Sequence, residues 1–194
     1  MSVFLASLVI AAQAQTPAVA PPGVAALTGP KVGDTLQPFS ALHVYGPLGN
    51  RTRDFVTLYP SDPKVVAWVS EGQTQLTQDL AKELQAQVKA NADSRLRALI
   101  VVLTKDKLTA EPRVRQIGYR IEANDVSMAV MEPTETGLIR HNISPETKLA
   151  IVVARGGTIS ANVAAPDANK VPTDALRAAI SEAVQPASKT TLGQ

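Results

Sequence analysis

The chain has 194 residues, of which 45% are hydrophobic, 4% aromatic and 19% charged, and 19 Lys and Arg against 17 Asp and Glu give a formal charge of +2. This length fits one domain with a flexible end, the apolar content excludes disorder throughout, and the near balance of charge gives no indication of a nucleic-acid partner. The sequence contains no cysteine and only two histidines, His43 and His141, which argues against disulfides, thiolate chemistry and the usual zinc or iron sites, so we expect no cofactor and no metal.

The N-terminal residues have the features of a secretory signal peptide. Residues 3–12 are apolar, and Ala12 and Ala14 fit a small-x-small cleavage signal, so we predict a signal peptide over residues 1–14. The apolar run is shorter than the roughly 20 residues that span a bilayer, so no stable membrane span is expected. Residues 15–30, rich in Pro, Ala and Gly, are predicted to form a flexible tether. These features predict a periplasmic or secreted protein.

The remainder of the chain alternates between strand-like and helix-like patterns. Alternating or continuous apolar runs predict strands over residues 39–44, 65–69, 99–103, 126–131, 149–154 and 158–164. Apolar residues at helical spacing predict helices over residues 73–91, 112–122 and 172–184. In the last strand, we expect Ile159, Ala161 and Val163 to share one face. This order predicts an α/β protein, a three-layer sandwich with a mixed central sheet and flanking helices.

Three stretches of the sequence stand out within this order of elements. They are Val32-Gly33-Asp34 followed by Phe39, the strand VVAWV that leads into a helix, and Ile143-Ser144-Pro145-Glu146-Thr147 ahead of LAIVVARGGTI. Together they resemble the thioredoxin-like redoxin family, which includes the peroxiredoxins and secreted thiol oxidoreductases. The resemblance covers residues 31–186, which we take as the domain, and leaves residues 187–194 as a predicted disordered tail. It implies a cis Ser144–Pro145 bond beside the active site.

The chain lacks the residue on which the chemistry of this family depends. In the family, the reactive cysteine follows the strand that matches VVAWV, at a helix N-terminus where the helix dipole lowers its pKa. Here that stretch reads Ser70-Glu71-Gly72-Gln73-Thr74-Gln75, and the peroxidase Pro-Thr-Cys signature is also absent. A hydroxyl neither forms a disulfide nor ionises appreciably near neutrality. The resemblance therefore implies the fold without thiol redox activity.

Three hypotheses about function follow from a thioredoxin-like scaffold without its thiol. The first is a binding module for a protein partner or a small ligand in the cell envelope, with a remnant pocket formed by Ser70, Gly72, Gln73 and Thr74 and faced by Ser144 and Pro145. The second is a redoxin-type relative or an enzyme that uses hydroxyl or carboxylate groups at the same place. The third is a structural module whose tether sets its reach. The first is favoured, because no nucleophile, base and orienting group can be assembled from the sequence.

Several residues near this stretch have simpler interpretations. Ser70 is predicted to cap the helix that follows, since it and Gln73 have the spacing of a capping box. His43 lies in an alternating strand, so we expect it to point outward or to make one hydrogen bond. His141 is interpreted as structural, and Trp68 as a core residue within an apolar strand.

Overall fold

A mixed sheet of seven strands forms the centre of the described part of the chain. The computed structural model describes residues 29–133, 136–144, 147–163, 165 and 169–185. The strands lie in the order β2-β1-β5-β4-β3-β6-β7. Strands β3, β4 and β5 are parallel, while β1 and β6 run antiparallel to their neighbours. The strands are β1 (Ser40–Tyr45), β2 (Arg51–Asp54), β3 (Lys64–Ser70), β4 (Arg97–Leu103), β5 (Val126–Met131), β6 (Leu149–Arg155) and β7 (Thr158–Asn162).

Helices cover both faces of this sheet. The helices are α1 (Phe55–Leu58), α2 (Thr74–Ala90), α3 (Lys107–Ile121), α4 (Thr136–Arg140) and α5 (Thr173–Val184). The apolar sides of α2, α3 and α5 pack into one core cluster, whereas α1 and α4 contribute to a second cluster on the opposite face. The predicted α/β architecture with a mixed sheet between helices is confirmed.

Strand β3 shows why the central strands are apolar on both faces. Its residues alternate between the two core clusters, with Val65, Ala67 and Val69 on the α2 side and Val66 and Trp68 on the other. All five are completely buried. A strand that is covered on both faces has a continuous run of apolar residues. The VVAWV run therefore predicts the position of β3 to within one residue at each end.

Helix α3 begins five residues before the predicted start. The Asp106 side chain caps the helix by accepting a hydrogen bond from the Thr109 amide at 3.2 Å. Pro112, the predicted first residue, lies inside the helix. The cap and the buried Ala110 therefore determine where the helix starts, and Pro112 lies in the second turn, where it removes one intrahelical hydrogen bond.

Among the described strands and α-helices, three short elements are absent from the predictions, namely β2, α1 and α4. Strand β2 has the sequence RTRD and three of its four residues are exposed, so it lacks the apolar alternation that identifies a strand. It is held by antiparallel pairing with β1. Helices α1 and α4 have 4 and 5 residues, too few for helical periodicity to appear in the sequence.

The last strand departs from the predicted side-chain alternation. A register shift interrupts the pairing of β6 with β7 between Val153 and Ala154. Ile159 consequently packs into the second core cluster, while Ala161 and Val163 pack against the first. The prediction that these three residues share one face is wrong, because an extra residue in a bulge reverses the alternation.

The chain enters the described domain alongside β7. Gly29 and Pro30 are buried. The Gly29 amide donates to the Asn142 carbonyl at 2.8 Å, and Asn162 Nδ2 donates to the Pro30 carbonyl at 2.9 Å. These two residues are therefore part of the packed structure. The predicted signal peptide and tail lie outside the described residues, and no helix among those described is long and apolar enough to cross a membrane.

Candidate functional site

The carboxyl ends of β3, β4 and β5 meet at one edge of the sheet, where the predicted site lies. The Glu71 amide donates to the Leu103 carbonyl at 2.9 Å, and the Thr104 amide donates to the Met131 carbonyl at 2.9 Å. The Ser70 amide donates to the Lys148 carbonyl at 3.1 Å, which brings the loop before β6 to the same edge. The segment after β3 therefore lies between the end of β4 and this loop.

Four of the predicted site residues line one depression at this edge. Ser70, Gly72, Gln73 and Thr74 form its rim, together with residues of α2 and α3. The depression has a volume of about 30 Å³, enough for one or two water molecules and far below the roughly 300 Å³ of a typical small-molecule pocket. It is an indentation in an open surface and not an enclosed ligand cavity.

The loop that carries Ser144 is joined to this rim through Thr147. The Ser70 hydroxyl donates to the Thr147 carbonyl at 2.5 Å, and the Thr147 amide donates to the Ser144 carbonyl at 3.0 Å. Thr147 is buried, and its own hydroxyl makes no hydrogen bond within the described part of the chain. Pro145, with the cis bond predicted before it, lies outside the described residues.

Ser70 does not cap helix α2. The helix begins at Thr74, its N-cap residue is Gln73, and no side chain makes a capping hydrogen bond there. Ser70 is the last residue of β3, and its carbonyl accepts a turn hydrogen bond from the Gln73 amide at 3.3 Å. The capping-box prediction is wrong because a turn separates strand from helix, which directs the Ser70 hydroxyl toward Thr147 instead.

Removal of the Ser70 hydroxyl is expected to weaken the attachment of the loop before β6. Ser70→Ala leaves the Thr147 carbonyl without this donor, and a lost hydrogen bond of this kind costs about 1 kcal/mol of the free energy of unfolding. Urea denaturation followed by circular dichroism measures the change. Thr74→Ala, which removes an exposed hydroxyl from the same rim, is the control and is expected to stay within about 0.5 kcal/mol of wild type. Equal stability of the two variants would contradict a role for the Ser70 bond.

A charged cluster that no sequence pattern predicts lies beside the rim. Arg113 Nη2 donates to Glu71 Oε1 at 2.7 Å, and the Thr104 hydroxyl donates to Glu71 Oε2 at 2.6 Å. Thr104 is buried, whereas the ion pair is largely exposed, so the pair itself contributes at most about 1 kcal/mol of stability. Glu71 is 42 residues from Arg113, and only the pairing of β3 with β4 places them together. The cluster fixes the position of a carboxylate next to Gly72.

Both histidines and Trp68 belong to the core and not to the site. The His141 ring lies against Phe39 and Trp68, with centroid distances of 5.4 and 5.2 Å, and its Nδ1 is 2.5 Å from the Gly137 carbonyl. Burial lowers its pKa below the usual histidine value. His43 is completely buried, and neither ring nitrogen has a hydrogen-bond partner among the described residues. The expectation that His43 points outward is wrong, whereas the prediction that Trp68 is a core residue is confirmed by its 0% exposure.

Similarity to solved structures identifies the fold, whereas the sequence itself matches no known family. No family model matches the chain, and no curated protein matches it. Among solved structures it is similar to a secreted Mycobacterium tuberculosis disulfide oxidoreductase homologous to E. coli DsbE, with a TM-score of 0.57 and 17% identity, over 76% of this chain and 96% of that one. It is also similar to a thiol peroxidase from Chromobacterium violaceum, with a TM-score of 0.55 and 13% identity, over 81% and 90% of the two chains.

A third similar structure extends this set to the peroxiredoxins. It is a yeast mitochondrial 1-Cys peroxiredoxin, with a TM-score of 0.53 and 14% identity, over 76% of this chain and 74% of that one. The chain therefore has the thioredoxin-like fold, and its structural neighbours are redoxins. Its sequence contains no cysteine, in agreement with a redoxin scaffold that lacks the catalytic thiols.

Proposed function

We propose that this chain is an exported binding module with a thioredoxin-like fold, which lacks thiol redox activity and recognises a protein partner in the cell envelope. The proposed contact surface consists of Ser70, Gly72, Gln73 and Thr74, with Ser144 and Pro145 on the facing loop. The observation that carries the proposal is the depression that four of these residues line at the carboxyl edge of β3, in a chain without cysteine. Export is supported by the signal-peptide pattern of residues 1–14 and by the secreted M. tuberculosis neighbour.

The shape of the depression favours a protein surface over an enclosed small ligand. A volume of about 30 Å³ cannot bury a metabolite, but it can accept one side chain tip or backbone group of a larger partner.

The charge distribution at the rim indicates which partner groups would fit. No side chain caps the first turn of α2, and the helix dipole makes this end positive. Carbonyl or carboxylate oxygens of a partner would therefore be favoured next to Gln73 and Thr74.

The contacts at the rim disfavour an enzyme that uses hydroxyl or carboxylate groups. The hydroxyl proton of Ser70 is directed at the Thr147 carbonyl, which is not a base. Glu71 provides the one carboxylate among the described residues that line the depression, and both of its oxygens accept hydrogen bonds, from Arg113 and Thr104. A base held in this way is poorly placed to activate a nucleophile.

Substitution at the rim is expected to abolish partner capture. The double variant Gln73→Ala, Thr74→Ala should reduce recovery of a partner from envelope extract at least about tenfold, because it truncates the central side chains of the proposed contact. The matched control is Gln75→Ala, Asp79→Ala, which removes an exposed hydrogen-bonded pair of α2 that does not line the depression and should leave recovery unchanged. Quantitative mass spectrometry of a native pull-down measures both.

A tether deletion separates this proposal from a purely structural role. If the protein acts as a structural module, deletion of residues 15–28 should change its recovery in envelope complexes while the Gln73, Thr74 variant has no effect. That pattern would contradict recognition through the rim.

A further inference from the structure

A larger depression lies at the opposite edge of the sheet from the candidate site. Strand β1 runs antiparallel to β5, and Tyr45 at its end pairs with Met128 near the amino end of β5. The depression lies between the end of β1, the turn over residues 46–50 and the end of α3. Its volume is about 590 Å³, which falls in the range of about 300–1,000 Å³ found for small-molecule sites. Like the smaller depression, it is open to solvent. It shares no residue with the proposed contact surface.

The walls of this depression are held in place by close packing. The Tyr45 hydroxyl donates to Asn124 Oδ1 at 2.7 Å, which fixes the aromatic ring. The ring lies over Gly118, where a Cβ atom would be 2.3 Å from the Tyr45 ring. Gly46 has a φ of +85°, and a Cβ there would be 2.1 Å from the Val126 carbonyl oxygen. Because these positions admit only glycine without rearrangement, the shape of the depression is preorganised.

Two residues that line this larger depression have a left-handed backbone conformation, which residues other than glycine rarely adopt. Among the described residues, four that are not glycine have positive φ, and two of these, Asn50 at 65° and Glu122 at 53°, line the depression. Glu122 ends helix α3, at a position where glycine is the usual residue. Strained backbone of this kind concentrates at ligand sites, where it positions a functional side chain.

The side chains on the rim define the chemistry of a ligand. Arg115 Nη2 donates to Asn50 Oδ1 at 2.9 Å and Tyr45 donates to Asn124 Oδ1, so the Nδ2 groups of both asparagines remain as hydrogen-bond donors. Glu122 contributes an exposed carboxylate acceptor. The positive charge of Arg115 is offset by Glu111 at 2.5 Å, so the depression offers no net cationic site for an anion.

An exposed aromatic ring completes this set of groups. Tyr119 is 67% exposed, and its ring meets the Tyr45 ring at a centroid distance of 4.9 Å in an edge-on arrangement. An aromatic face next to both donors and acceptors matches a neutral polyhydroxylated ligand, because each hydroxyl both donates and accepts, while the C–H face of a sugar ring packs on the aromatic ring. We infer that this depression is a binding site for a neutral saccharide.

Titration with defined sugars tests this inference. The probes are glucose, N-acetylglucosamine and their β1,4-linked disaccharides, added to the isotope-labelled protein and followed through backbone amide NMR shifts. At least one probe is expected to give saturable shifts confined to residues 45–50 and 115–124, with a dissociation constant on the order of 1 mM. Tyr119→Ala is expected to weaken binding by about tenfold or more, because it removes the aromatic face.

Two controls make the result decisive. Gln116→Ala changes an exposed side chain of the same helix that does not line this depression, so it should leave the affinity unchanged. Indole serves as an apolar aromatic probe without hydroxyl groups. Absence of saturable shifts with all four sugars, equal affinity in Tyr119→Ala, or binding of indole in place of the sugars would each overturn the saccharide assignment. None of these outcomes bears on the protein-binding surface at the other edge.

Discussion

Trp68→Ala is expected to lower the free energy of unfolding by about 3–5 kcal/mol, the largest effect of any single truncation proposed for this chain. Trp68 is completely buried at the centre of β3, and its ring lies 5.6 Å from Phe39 and 5.2 Å from His141 between centroids. Truncation leaves a cavity between the sheet and the layer that contains α4, since these neighbours are themselves fixed by packing. A loss of this size is a large part of the stability of an ordinary domain.

The matched variant Trp68→Phe separates cavity formation from loss of the indole N–H. Nε1 of Trp68 has no hydrogen-bond partner among the described residues, so its removal costs no bond, and we expect a loss below about 1.5 kcal/mol. Trp68 is the sole tryptophan of the sequence, so unfolding is followed by far-ultraviolet circular dichroism and not by tryptophan fluorescence. Equal and small losses for both variants would contradict the close packing of this layer.

Acidification is expected to destabilise the protein by roughly 2.5 kcal/mol between about pH 7.5 and about pH 4.5 through His43. Burial lowers the pKa of His43 from 6.5 to about 4, because the buried site disfavours the charged imidazolium. Arg51 lies directly opposite His43 on β2 and Ala129 lies opposite on β5, so no carboxylate pairs with the ring from either neighbouring strand.

The protein loses stability on acidification because the unfolded chain binds a proton that the folded chain does not. Between the folded pKa of about 4 and the unfolded value of 6.5, the unfolded chain binds a proton that the folded chain does not. Stability is therefore fully present above the unfolded pKa and is lost as the pH falls toward the folded pKa. Burial also lowers the pKa of His141, which adds a change of the same sign.

Replacement of His43 by an apolar residue is the direct test of this pH dependence. His43→Leu removes the titrating group from an apolar site, so its stability should change less between the two pH values than that of wild type, by roughly 2.5 kcal/mol. Urea denaturation at each pH measures the difference. An identical pH dependence in His43→Leu and wild type would show that other groups control acid unfolding.

The elements that were predicted correctly are those in which burial leaves a periodic pattern. Strands β3 and β5 are apolar because both faces are covered, and helix α2 shows its core face through Leu76, Leu80 and Leu84. Strand β2 carries no such pattern, because it is an exposed edge paired only with β1. The bulge in the pairing of β6 with β7 next to Val153 leaves no pattern in the sequence either, because it depends on how two strands pair.

At the candidate site, the local pattern predicts a strand that leads into a helix around Gln73 and Thr74, and in the structure β3 ends at Ser70 and α2 begins at Thr74. The contacts of Glu71 with Arg113 and Thr104 depend on the order of β3 and β4 in the sheet, which no local pattern specifies. His43 was misplaced because strand alternation does not reveal that both faces of β1 are covered at that point.

Photo-crosslinking from position 74 tests most directly whether this protein recognises a partner at the proposed contact surface. A benzophenone amino acid replaces Thr74 at the rim, and in a matched protein it replaces Lys89, an exposed residue near the far end of α2. After irradiation in envelope extract, position 74 should give a discrete adduct with one protein, while position 89 gives none. The absence of a discrete adduct at position 74, or the same adducts from both positions, would contradict recognition at this edge.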